Sequence, residues 1–72
     1  MYDYSRLRGR IIEKCGSYSE LSRKTGLSLH TLSYKMNQKI PFKQTDIELL
    51  CDVLDIPPKK IAEYFFYRQS SK

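Results

Sequence analysis

Few residue types in this chain could carry out covalent or metal chemistry, and those present are scattered. His30 is the only histidine, Cys15 and Cys51 are the only cysteines, and Asp52 and Asp55 form a pair of carboxylates three residues apart. The histidine and cysteines lack the short ligand spacing of a zinc site. No nucleophile, acid and base are spaced to converge. Asp52 and Asp55 close an apolar-periodic stretch, where a helix C-terminus disfavours negative charge unless it is solvated or paired, so they read as surface charge. A different chemistry is concentrated between Ser28 and Asn37, where Ser28, Leu29, His30, Ser33, Tyr34 and Asn37 bring hydroxyls, an imidazole, an amide and one exposed-angle aliphatic. Such groups hydrogen-bond base edges, and the leucine suits a thymine methyl.

A helix must carry them. Leu32 and Met36 are four apart and make its inward stripe, which leaves the six residues just named at outward angles. Ser28 is a suitable N-cap. Gly26 just before it supplies the left-handed backbone that ends a preceding helix, and Leu27 plugs back into the core. Ser17 stands three residues before Glu20, the spacing of a capping box, so that preceding helix runs from about Tyr18 to Thr25. Two short helices joined by a tight glycine turn are a device for laying the second one in the major groove of DNA.

The remaining elements are helical as well. Leu7, Ile11, Ile12 and Cys15 recur at helical spacing and predict a first helix over about Ser5 to Cys15, ended by Gly16; Gly9 inside it costs about 1 kcal/mol against alanine. Gln38 to Lys43 is a connection in which Pro41 bars a helix, with Ile40 or Phe42 folding back over the core. Ile47, Leu50, Cys51 and Leu54 mark a fourth helix. It starts at a Thr45–Glu48 capping box or one or two residues earlier. Pro57-Pro58 stops it and opens a fifth, with Ile61 and Phe65 inward. The expectation is an all-α, compact five-helix bundle: a single domain over residues 1–72, ordered from about 4 to 66 and frayed over 67–72.

Length and charge narrow the function. A chain of 72 residues has room for one small core. Its net charge is +5. Residues 1–45 hold nine Lys and Arg against three acids, whereas residues 46–72 hold four against five. The positive potential therefore belongs to the half that carries the helix pair, where phosphate neutralisation needs it. The longest apolar run, Tyr64 to Tyr67, falls far short of the roughly 20 residues of a membrane span. MYDYSRLRGR lacks a signal peptide's apolar stretch. A cytoplasmic protein with no membrane partner and reduced core cysteines is expected.

With those positions in place, the chain resembles the phage Cro/repressor-like helix-turn-helix family. The matching residues are Glu20-Leu21, Gly26-Leu27-Ser28, Leu32-Ser33, Lys35-Met36-Asn37 and Lys39. They are followed by Phe42, Ile47, Leu50, Leu54-Asp55-Ile56-Pro57 and Tyr64-Phe65-Phe66, as in small prophage regulators. The resemblance implies a lambda-repressor-like domain that recognises a double-stranded operator and regulates transcription by occupying it, with no cofactor. Ser28, Leu29, His30, Ser33, Tyr34 and Asn37 would be the base-contacting positions. The helix start at Ser17 and the cations Lys35, Lys39 and Lys43 would clamp phosphates. Two departures stand out: Ser22 replaces a usual alanine, with its hydroxyl expected to bond back to the preceding turn, and Gln38 replaces a common glycine after the recognition helix.

Several alternatives stay open. Leu29 either meets thymine methyls or is partly buried; Asn37 either contacts DNA or caps its helix; His30 either contacts DNA or is plain surface. Tyr34 suits backbone more than bases. Arg10 shares a face with Arg6 and either reaches flanking phosphates or is solvated. Tyr64, Phe65, Phe66 and Tyr67 cannot all enter one small core, so Tyr64, Phe66 and Tyr67 are a candidate homodimer surface. The rival function is a protein-interaction module, an antitoxin or anti-repressor, using the same helix pair. An enzyme or an RNA-binding domain lacks the residue sets it would need.

Overall fold

A computed structural model describes residues 1–68 of the chain. Five α-helices follow in order: α1 Ser5–Cys15, α2 Tyr18–Thr25, α3 Leu29–Met36, α4 Gln44–Leu54 and α5 Ile61–Phe65, the last entered through a 3-10 turn at Pro58–Lys60. The all-α, five-helix architecture is the one the apolar spacing predicts. Helix α1 touches α2, α4 and α5, and α2 bridges α3 and α4.

The core is built from the expected stripes. Leu7 and Ile11 of α1, Leu21 of α2, Leu32 of α3, Leu50 and Leu54 of α4 and Phe65 of α5 are essentially out of water. Each contributes about 1.5–3 kcal/mol of transfer free energy. Of the two candidates in the α3–α4 connection, Phe42 is the one that folds back. Its ring lies edge-on to Tyr4 and to Phe65, 5.4 Å from each, while Ile40 stays exposed.

Two capping interactions differ from expectation, while the helix starts fall where the sequence allowed them. Glu20 does not complete the capping box: Ser17 Oγ accepts from the Glu20 amide, but the Glu20 carboxylate turns to Arg23. Helix α4 begins at Gln44, and the carboxylate that reaches back to its start is Asp46, accepting from the Lys43 amide at 2.9 Å. Asp46 rather than Glu48 closes that turn because the cap falls at Lys43, which puts Asp46 three residues on. Tyr67, the first of the residues expected to fray, has a carbonyl that accepts from the Asp3 amide at 2.8 Å. Tyr2 and Arg68 form an isolated antiparallel bridge, so the N-terminal segment is also drawn into the fold. The rest of the expected fraying, residues 69–72, lies outside the described residues. Among the described residues no helix is long and apolar enough to cross a membrane.

Candidate nucleic-acid interface

The turn between α2 and α3 is set by short polar side chains. Gly26 adopts φ +81 and ends α2, its amide bonding the Ser22 carbonyl. Thr25 Oγ1 donates to the Leu21 carbonyl at 2.8 Å and accepts from the Leu27 amide at 3.2 Å. The Ser22 hydroxyl donates forward to the Leu27 carbonyl at 2.6 Å rather than back to the preceding turn. Serine at this position thus pins the turn across the gap between helices, a bond alanine could not make. Ser28 Oγ accepts from the Thr31 amide at 3.0 Å and caps α3.

Helix α3 presents most of the expected residues to solvent. Ser28, Leu29, His30, Tyr34 and Asn37 are exposed and Ser33 is half-buried. Leu29 keeps 47% of its surface, so it is not a core residue. The His30 and Tyr34 rings pack one turn apart with centroids 4.3 Å from each other. Asn37 caps the helix, and its Nδ2 donates to Ser33 Oγ at 3.4 Å. The floor of this face is neutral and amphipathic.

Two expected phosphate ligands are engaged elsewhere. Lys35 is turned inward and 4% exposed; its Nζ lies 2.8 Å from Asp46 Oδ2 and 3.0 Å from the Pro41 carbonyl. Burial raises the Asp46 carboxyl pKa, but the bonds from Lys35 and the Lys43 amide, with both lysine charges, outweigh it and hold the carboxyl below its usual range. Arg10 lies against the end of α4, donating from Nε to the Leu54 carbonyl at 2.9 Å and from Nη2 to the Asp55 carbonyl at 2.6 Å. That cation offsets the negative helix end. Lys35 and Arg10, both expected at phosphates, are thus bonded within the fold. Lys35 flanks the Leu32/Met36 stripe in the sequence, but the acid it meets in the first turn of α4 is brought to it only by the fold. Ser17, Lys39 and Lys43 remain exposed, joined by Lys24.

No other cluster among the described residues offers chemistry, and no three His, Cys, Asp or Glu side chains there converge as metal ligands. Cys15 and Cys51 are free and half-buried, and burial, with the Asp52 charge beside it, raises the Cys51 thiol pKa. A hollow of about 320 Å³ between Tyr2, Tyr4, Ile40, Phe42 and Phe66 is lined mainly by apolar groups. The C-terminal aromatics divide: Phe65 is buried, Tyr64 is half-buried, and Phe66 and Tyr67 are exposed. The Arg6 guanidinium sits 3.9 Å over the Tyr67 ring and covers one of its faces.

Comparison with known proteins adds three findings. Residues 1–68 match the model of a family described as a protein of unknown function, DUF739. No curated protein matches the chain. Among solved structures, the chain is similar to the solution structure of the modulator of repression (MOR) of the temperate bacteriophage TP901-1 from Lactococcus lactis. The two are 43% identical with a TM-score of 0.81, over 90% of this chain and 88% of that one.

Proposed function

The chain belongs to the DUF739 family, and from that premise we propose that it is a phage or prophage regulator of transcription, Cro- or repressor-like, whose working surface is the outward face of α3. It reads an operator in double-stranded DNA by inserting that face in the major groove. The observation that carries this reading is the bare flank of α3, with Leu29, His30, Tyr34 and Asn37 in solvent behind a capped N-terminus. Lys24, Lys39 and Lys43 supply the phosphate contacts. A selection from a random duplex library with the purified protein tests it. One enriched sequence is expected, with log K falling by about 2.7 per decade of salt for each protein copy if those three cations each displace a counterion. A library with no enriched duplex would reject DNA reading.

A second reading has its own support. The α3 face carries no cation, exposes Leu29 and the packed His30–Tyr34 pair, and the similar phage protein is named for modulating repression. In this reading the face docks on a protein that sets repression, as an anti-repressor would. Leu29→Asp separates the two. It should abolish capture of a repressor protein, whereas on DNA it should chiefly change base preference beside one thymine.

A further inference from the structure

The end of α3 holds a side-chain latch. Gln38 adopts φ +62 immediately after the capping Asn37, a left-handed backbone that side chains with a Cβ adopt rarely. Two backbone bonds close the helix around it, from the Gln38 amide to the Lys35 carbonyl at 3.1 Å and from the Lys39 amide to the Tyr34 carbonyl at 2.9 Å. Glycine would satisfy both bonds with less strain. Glutamine adds something glycine cannot. Its Oε1 accepts from the Tyr2 amide at 3.0 Å and its Nε2 donates to the Tyr2 carbonyl at 2.8 Å. One carboxamide thus pairs with both backbone polar groups of one residue, as a neighbouring strand would.

Tyr2 is itself held from other sides. It bridges Arg68, its ring meets Phe66 edge-on at 5.9 Å and stacks near Tyr4 at 6.2 Å, and the following Asp3 amide bonds Tyr67. The exit of the eight-residue α3 is therefore tied through Gln38 to a strap that is anchored on the end of α5. We propose that Gln38 is a positioning residue: by latching onto Tyr2 it fixes the last turn of α3, and so the presentation of Tyr34 and Asn37 to whatever that face binds. This rests on the reading of α3 as the working surface.

The test uses the full chain, isotope-labelled, with Gln38→Ala and Gln38→Gly. Protection from amide hydrogen exchange at positions 37, 38 and 39, corrected for the intrinsic rate of each residue type, should be at least fivefold lower in both variants, with the amides of α1 unchanged. If the Gln38→Gly variant keeps wild-type protection at those three positions, backbone conformation alone sets the helix end and the latch proposal is overturned. Binding supplies a readout that a merely structural role would not move. For the duplex enriched from the random library, the ratio of selected to scrambled affinity should fall at least fivefold in Gln38→Gly at an unchanged thermal midpoint. An unchanged ratio would overturn the positioning role. Failure to enrich any duplex would end the DNA reading instead, and exchange at Asn37 to Lys39 would still decide the latch.

Discussion

Lys35 and Asp46 show how one residue's environment redirects its role. A lysine beside the outward face of α3 would be a natural phosphate ligand on DNA, but here it is buried against a carboxylate and a carbonyl. Removing one partner of such a pair leaves a buried charge uncompensated. Lys35→Met should cost about 3 kcal/mol in denaturant unfolding, yet leave the salt slope of any DNA binding unchanged. The pair also sets an acid limit. The folded Asp46 pKa lies below the ordinary aspartate value of 3.8, so its contribution is complete above the unfolded value and is lost as pH falls through the lowered one. Thermal midpoints followed below about pH 4 should drop steeply in the native chain and more gently in Asp46→Asn. Equal slopes would show that the carboxylate is not held by Lys35.

At the scale of elements, the α2–turn–α3 unit depends on backbone conformations and caps more than on area. A Cβ built at Gly26 meets nothing within 4 Å, so the cost of alanine there is conformational and comes from φ +81. Gly26→Ala should destabilise by about 1–2 kcal/mol, and Ser28→Ala by about 1 kcal/mol through the lost cap, both measured by chemical denaturation. Helix α4 depends on a neighbour for its end: Arg10 satisfies two of its terminal carbonyls. Arg10→Ala should cost about 1.5–3 kcal/mol, the range for hydrogen bonds to a charged group. A loss of affinity for DNA without a loss of stability would instead return Arg10 to the phosphate backbone.

For the molecule as a whole, the charge asymmetry and the exposed aromatics bear on assembly. With Phe65 in the core and Tyr64 half-buried, only Phe66 and Tyr67 remain as strongly exposed members of the candidate dimer surface. One face of Tyr67 is already covered by Arg6. The proposed homodimer therefore centres on Phe66, with Tyr67 and Tyr64 at its edge, and two copies would present α3 to half-sites about 34 Å apart. Sedimentation with and without the selected duplex should show two copies per operator, and Phe66→Ser should convert that complex to one copy with much weaker binding. A single copy on the duplex in the native chain would end the homodimer expectation.

Local rules in the sequence determined the helices, the glycine turn, the N-cap at Ser28 and the inward stripes, because periodicity and capping act over three or four residues and need no knowledge of distant neighbours. The neutral outward face of α3 was legible for the same reason, as the angular complement of Leu32 and Met36. Partners chosen across the fold were not legible. Lys35 with Asp46, Arg10 with the end of α4, and Gln38 with Tyr2 join residues that only packing brings within hydrogen-bond reach. A long polar side chain can satisfy itself in water or in any nearby helix end, and tertiary geometry alone selects among them.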